Sequence, residues 1–362
     1  MRKANVIDLF CGCGGFSYGF MSAGFNIVLG IDIWKDALVT YKHNIPSAKI
    51  INSDITTITA KTITRDTGIN LEDVDVIIGG PPCQGFSVSG KRMLDDPRNK
   101  LYKSFVDLVG EIKPEIIVME NVPGLINLYG GKVRQEIIDD FTGLGYNVSV
   151  QQLSAEKYGV PQQRKRVFFV GIRKEKIKNT QLFIFPTATH GDGINKVITC
   201  KDAISDLDFV PDDVSLGDDI EYKINPQNSY QVKMRKECSR LKNHSITIHK
   251  EKTKEIISMV PDGGNYKSLP KELHSTRKVN IAWTRMNSEK PCFTIDTGHN
   301  HHFHYKENRV PTVRESARIQ SFPDNFEFIG IKTSQLRQVG NAVPPLLAEV
   351  IANEINEVLE RQ

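Results

Sequence analysis

Between residue 1 and about residue 172 the chain alternates short apolar runs with helix-periodic stretches, and this alternation leaves few folds open. Val6–Phe10, Ile27–Ile31, Lys49–Ile51, Val74–Ile78, Ile116–Met119 and Val167–Val170 have the length and content of buried strands. Between them, Phe16–Ala23, Asp36–His43, Lys100–Ile112 and Val133–Leu144 read as helices. Strands returning through helices predict an α/β fold built on a doubly wound, Rossmann-like sheet. At 362 residues the chain is long enough for that sheet and a second, smaller domain.

The alternation stops near Lys174. From there to about Lys290 apolar runs are short, an acidic stretch (Asp202–Glu221) precedes a basic block, and Pro261-Asp262-Gly263-Gly264 signals a turn. Thr312–Ser321 and Pro344–Leu359 again read as helices, the last packing back on the first domain. We therefore expect a domain over residues 1–173, an irregular β-containing domain over 174–290, and a return segment over 291–362. The net charge of +4 is unevenly spread, since Lys223 to Lys278 carries 13 Lys and Arg against 5 Asp and Glu. A solvated face is the ordinary meaning of such a block; its position inside the break favours a polyanion-binding surface.

Composition narrows the setting. Six cysteines without framework spacing fit a reducing compartment, so a cytoplasmic location is expected. Met1-Arg2-Lys3 before an apolar run resembles a leader only until Asp8 interrupts it. No stretch is long and apolar enough to span a membrane.

Chemistry is expected at the strand ends. Asp8-Leu9-Phe10-Cys11-Gly12-Cys13-Gly14-Gly15 turns a strand through glycines into a helix, and Asp32 closes the second strand, where it can accept from a ribose diol. A dinucleotide oxidoreductase would use the same layout, but Ser17 stands where its third glycine belongs. Cys11-x-Cys13 lacks the further ligands of a metal site, and the tract His299–His304 stays unassigned. Asp54, taken alone, reads as a turn or helix-cap aspartate.

Three more strand ends carry a nucleophile, an acid and a cation in order: Pro81-Pro82-Cys83-Gln84, Glu120-Asn121-Val122 and Gln162-x-Arg164-x-Arg166. Singly, each has a dull meaning: a buried cysteine, a helix-cap glutamate, surface arginines. Together with Arg318-Ile319-Gln320-Ser321-Phe322-Pro323 and Gln338-Val339-Gly340-Asn341-Ala342-Val343-Pro344, the set resembles the cytosine-5 DNA methyltransferase family of the prokaryotic restriction-modification type. Pro311, Ser321 and the cysteines of the glycine turn depart from the commoner family residues.

That resemblance implies a Rossmann-like sheet that binds S-adenosylmethionine, and a target-recognition domain over the irregular region. It implies Cys83 as the nucleophile at cytosine C6, Glu120 at N3 and the amine, and Arg164 and Arg166 as pocket arginines, with Arg166 nearest O2. Phe10, Gly12 and Gly14 would surround the methionine end of the cofactor, Asp32 the ribose and Asp54 the adenine amino group, with Ile33, Ile55, Pro82 and Asn341 completing the set. A thiolate suits addition to C6 because sulfur is strongly nucleophilic even when little ionised. The target base must leave the duplex stack, and Ser87–Arg98 resembles the loop that closes over it. Double-stranded DNA is the expected partner of a monomer, alongside a companion restriction endonuclease acting on the same word. Two alternatives stay open: the tRNA-methylating branch, and a catalytically silent DNA-binding protein on the same fold.

Overall fold

The computed structural model describes residues 2–82, 100–176, 183–209, 219–274, 283–297 and 302–361. Cys83, the Ser87–Arg98 segment and His299–His301 lie outside the described residues. Two compact units are present: the first comprises Met1–Ser154, Lys165–Thr187 and Leu347–Gln362, the second Ala155–Arg164 and Ala188–Leu346. Of the expected return segment, the first unit thus takes only its last helix, while residues 291–346 group with the second unit.

The first unit is a seven-stranded sheet. Its strands are β1 (Asn5–Leu9), β2 (Asn26–Asp32), β3 (Lys49–Asn52), β4 (Val74–Gly79), β5 (Ile116–Asn121), β6 (Tyr146–Ser154) and, after the two-residue β7 (Gln162–Gln163) of the second unit, β8 (Lys165–Arg173). Their order is β3-β2-β1-β4-β5-β8-β6. The first five run parallel, and β8 is antiparallel to both β5 and β6. The sequence pattern omits β6, whose residues alternate weakly and include Gln151 and Gln152 on an exposed stretch.

The helices are α1 (Gly15–Ser22), α2 (Lys35–Asn44), α3 (Ala60–Thr67), α4 (Lys100–Ile112), α5 (Gly124–Asn127), α6 (Lys132–Gly143) and, in the second unit, α7 (Cys200–Ile204), α8 (Ser229–Met234), α9 (Glu251–Ser258), α10 (Lys271–His274), α11 (Val313–Ile319) and α12 (Lys332–Asn341). α13 (Pro345–Glu360) runs into the first unit, where Asn356 Nδ2 donates to the Ala23 carbonyl at 2.7 Å.

Alternation along the strands builds two apolar faces. Ile7, Leu9, Leu29, Ile31, Ile77 and Met119 pack with Phe105 and Val109 of α4 and Phe141 of α6. On the opposite face Phe16 meets Phe20 at 5.5 Å and Phe168 at 6.2 Å between ring centroids. Strand order reverses between β1 and β4, and such a switch point is where open α/β sheets bind ligands at the carboxyl ends of their strands.

The second unit has little sheet. Its strands β7, β9 (Asp219–Ile220), β10 (Leu241–Lys242), β11 (Thr284–Arg285), β12 (Cys292–Phe293) and β13 (His302–Phe303) form three two-stranded pairs. Buried charge takes the place of a sheet core. Arg318 of α11 is fully buried and donates to Asp206 at 3.0 Å and to Asp324 at 2.6 Å. Arg309 grips Glu315 with two bonds of 2.7 and 2.6 Å, and Glu315 caps its own helix by accepting the Thr312 N–H at 2.7 Å. Despite burial, the Arg309 guanidinium holds the Glu315 carboxyl well below the usual range.

Among the described residues no helix is long and apolar enough to cross a membrane.

Candidate active site

The glycine turn after β1 is built from left-handed backbone. Phe10 (φ 62°), Gly12 (φ 53°) and Gly14 (φ 99°) all have positive φ. For Phe10 that conformation is strained, and strain of this kind persists where the surroundings impose it. A Cβ on Gly12 would meet nothing within 4 Å, so the turn presents bare backbone to open space. On Gly14 a Cβ would sit 2.9 Å from the Tyr41 ring, which leaves no room for a side chain.

Asp32 fastens this turn. Its carboxylate accepts the Gly12 N–H and the Trp34 N–H, each at 2.8 Å. Burial raises its pKa, against the lowering effect of the N–H donors of Trp34, Gly12 and Ile33. Ile33 beside it is 68% exposed, an apolar side chain standing free at the strand end. Asp54 caps the short 3-10 turn Ile55–Thr57, accepting the Thr56 N–H and hydroxyl through one oxygen, Oδ1, at 2.9 Å each. Ile55 is buried in the core below. Phe10, Gly12, Gly14, Asp32, Ile33, Asp54 and Ile55 thus line the carboxyl ends of β1 to β3 in one unit.

Ser17 explains the absent third glycine. Its hydroxyl donates to the buried Asp8 at 2.6 Å and lies 2.8 Å from the Tyr41 hydroxyl. The Tyr41 ring in turn covers Gly30, where a Cβ would fall 2.5 Å from the ring. A serine is therefore needed at this place for its hydroxyl, a signal that sequence spacing alone does not carry.

The second cluster joins β4, β5 and β8. Glu120, one residue from the end of β5, receives the Arg166 Nε at 2.7 Å, and both side chains are mostly buried at 13% and 14% exposure. Antiparallel register explains the meeting, because Asn121 lies opposite Val167. Asn121 Nδ2 donates to the Pro81 carbonyl at 3.0 Å, tying the segment that leads to Pro82 and Cys83 against the end of β5. At Gly80 a Cβ would stand 3.1 Å from Glu120 Oε2 and would press on that carboxylate.

Arg164 groups with the second unit. It is 1% exposed and donates to the carbonyls of Ile295 at 3.2 Å and Gly340 at 2.9 Å. Gln162 accepts the Ile295 N–H at 3.0 Å and donates to Gln320, which donates to the Ala342 carbonyl at 2.6 Å. Three separated sequence motifs thus meet in one hydrogen-bond network within the second unit. Gly340 is obligatory, for a Cβ would come 2.3 Å from the Asp296 carbonyl oxygen. The exposed Asn341 ends α12 beside it.

The histidine tract gains an internal role. His304 Nδ1 accepts the N–H groups of Lys306 at 3.1 Å and Glu307 at 3.0 Å, and burial pushes its pKa down to about 3, so the ring is neutral. Among the described residues no three His, Cys, Asp or Glu side chains are arranged to hold a metal ion.

Comparison with known proteins places this geometry. Residues 4–357 match the family model for C-5 cytosine-specific DNA methylases. The chain is 39% identical to the type II methyltransferase M.DdeI of Desulfomicrobium norvegicum, covering 98% of this chain and 89% of that protein. It is 40% identical to the type II methyltransferase M1.HphI of Haemophilus parahaemolyticus, covering 96% and 86%. Among solved structures, a prophage-encoded Escherichia coli protein described as a DNA modification methyltransferase superposes with a TM-score of 0.78 at 28% identity, covering 99% of this chain and all of that one. The S. pombe Dnmt2 methyltransferase shares the fold, with a TM-score of 0.59 at 17% identity and 99% of each chain covered. With its doubly wound sheet, its glycine turn and its paired glutamate and arginine, the chain belongs to the C-5 cytosine-specific DNA methylase family.

Proposed function

We propose that this enzyme methylates C5 of a cytosine drawn out of a specific DNA sequence, with Cys83 as nucleophile and Glu120 and Arg166 as the pocket that stabilises the activated ring. The observation that carries the reading is the Glu120–Arg166 pair at 2.7 Å, held beside the chain segment that enters Cys83.

Cytosine C5 is a poor nucleophile until a group adds at C6. The Cys83 thiolate forms that bond, and negative charge moves toward N3 and O2. Glu120 stabilises it by hydrogen-bonding N3 and the exocyclic amine, and the Arg166 guanidinium adds preorganised positive charge near O2. Their mutual ion pair fixes both side chains before substrate arrives, so little reorganisation remains at the moment of reaction. Arg164 acts at one remove, holding the Ile295 and Gly340 backbone.

The glycine turn fits S-adenosylmethionine. Bare backbone at Gly12, the Asp32 carboxylate, the exposed Ile33 and the second oxygen of Asp54 offer an apolar wall and hydrogen-bond acceptors suited to an amino acid and a nucleoside. Bound there, the cofactor supplies a sulfonium methyl to C5. Phe10, Gly14, Ile55, Pro82 and Asn341 complete the proposed contacts. Loss of the C5 proton then expels the thiolate. Residues Lys223–Lys278 are the proposed phosphate-binding block, and a companion endonuclease fits the naming of the relatives.

DNA carrying 5-fluorocytosine at its target tests this chemistry. With S-adenosylmethionine present the enzyme should be trapped through Cys83, because fluorine cannot leave as a cation, and Cys83→Ser should form no adduct. A DNA-linked peptide containing another cysteine, or undiminished trapping by the variant, overturns the assignment.

A further inference from the structure

Asp8 is a carboxyl group that the reaction above does not use. It lies in β1 opposite Gly30 of β2, and Asp32 stands two residues further along the same face of β2. Two carboxyl groups therefore sit beneath one glycine turn. Asp8 is 1% exposed, and the groups facing it are Ser17 of α1, Tyr41 of α2, Asp32, and the thiols of Cys11 and Cys13. Not one of these is a cation, and neither carboxyl group makes a salt bridge among the described residues. Burial also keeps both thiols protonated, pushing Cys13 up to about 12.

A carboxylate buried without a counter-ion is costly, and such a group ordinarily takes up a proton instead. Desolvation, with the neighbouring Asp32 adding to it, pushes the Asp8 pKa up to about 8 against the lowering effect of the Ser17 hydrogen bonds. The missing charge is of the sign that a sulfonium ligand brings.

We propose that Asp8 is the proton-linked counter-ion that lets this site tell its sulfonium cofactor from the neutral thioether product: protonated in the empty protein, it releases its proton to solvent when the cation enters the glycine turn, and keeps it when the thioether binds. The bond broken is the carboxyl O–H and the proton goes to water, so charge balances without a further reactant. Coulomb attraction to the cation favours the ionised carboxyl, and this differential interaction is what links proton and ligand. The consequence is product release helped by re-protonation. This inference rests on the cofactor reading of the glycine turn.

Calorimetry of the full chain with S-adenosylmethionine and S-adenosylhomocysteine, in buffers of different ionisation enthalpy, tests it. At pH 7 the wild type should release up to about one proton more than Asp8→Asn on binding the sulfonium, and about none more on binding the thioether. Its sulfonium-to-thioether affinity ratio should rise relative to that of Asp8→Asn by up to about ten-fold per pH unit between about pH 6 and 8. Equal proton release for the two ligands, or a pH-dependent ratio retained in Asp8→Asn, overturns the proposal while leaving the cofactor reading intact. Failure of the wild type to bind either ligand removes both. Should Asp8→Asn not fold, infrared difference spectra of wild type labelled with 13C-aspartate decide: the protonated carboxyl band must be lost on adding the sulfonium and kept on adding the thioether, and any other pattern refutes the assignment.

Discussion

Buried charge is handled in opposite ways by the two units. In the second, Asp206, Glu315 and Asp324 each contact an arginine, and the partners close on one another. In the first, Asp8 is as deeply buried yet faces only neutral donors and another carboxyl group. Charge that is closed within the protein fixes architecture, which the second unit needs because it has so little sheet. Charge left open marks a place reserved for something that is not protein. The Glu120–Arg166 pair stands between the two cases, closed on itself yet leaving about a seventh of its side-chain surface exposed.

Four substitutions sharpen or break this contrast. On the proposed pocket role of Glu120, Glu120→Gln should have the largest effect, lowering methyl transfer by about 10²–10⁴-fold with little change in melting temperature. Incorporation of labelled methyl groups alongside a thermal melt checks it, and comparable losses of activity and stability would make the pair architectural. Next, Arg318→Met removes the guanidinium that Asp206 and Asp324 share, leaving Asp206 with Arg235 and Asp324 with the more distant Arg314, and should cost about 3–5 kcal/mol in denaturant unfolding. A cost under about 1 kcal/mol would mean that the closed network does not hold the second unit.

Asp8→Asn should act with the reverse sign. A carboxyl group whose folded pKa is raised to about 8 binds its proton more tightly folded than unfolded, so its destabilising effect sets in as pH rises above the ordinary aspartate range and is complete beyond 8. The ligand-free variant should therefore gain on wild type by about 1.4 kcal/mol for each pH unit between about pH 4 and 8, so that its advantage at pH 8 exceeds that at pH 5 by about 3–4 kcal/mol. An equal difference at the two pH values would show that Asp8 does not titrate there. The smallest effect is expected for Ser321→Gly. Ser321 has φ 67°, which glycine adopts without strain, but its hydroxyl accepts the Leu346 N–H at 3.1 Å. The two terms nearly cancel, leaving a change within about 0.5 kcal/mol, and a melting curve displaced further would show which one dominates.

Much of the first unit was legible because its signals are local. Short apolar strand runs and the glycine turn depend on neighbours in sequence, and β1 to β5 lie where alternation puts them, with Lys100–Ile112 matched residue for residue. β6 escaped because five of its nine residues are half-buried, which blurs the apolar period. α3 escaped too, a polar surface helix whose buried residues are Ile63 and Thr67. In the second unit the organising signal is the anchoring of buried arginines on partners far off in sequence, Arg318 on the Asp206 carboxylate and Arg314 on the Lys242 carbonyl, and no spacing rule reveals it. The acid and arginine of the candidate site could be read as motifs, but their ion pair could not, since it follows from the antiparallel register of β5 and β8. The same limit hid the division of labour between Arg164 and Arg166, two residues apart in sequence and in different units. Asp54 joins both readings: it is the turn cap that its sequence context favours, with one carboxylate oxygen engaged in the cap.

The helix that closes the first unit has a consequence for the life of the chain. Leu347, Ala348, Ile351, Ala352 and Ile355 of α13 are buried in a unit whose other strands and helices all precede residue 188. A ribosome must therefore make the whole of the second unit before the sheet can receive its last helix. Contacts spanning more than 300 residues, such as Asn356 to Ala23, form late and slowly. The glycine turn leads directly into α1, the helix whose end that contact holds, so the packing behind that turn is finished only after the second unit has been made.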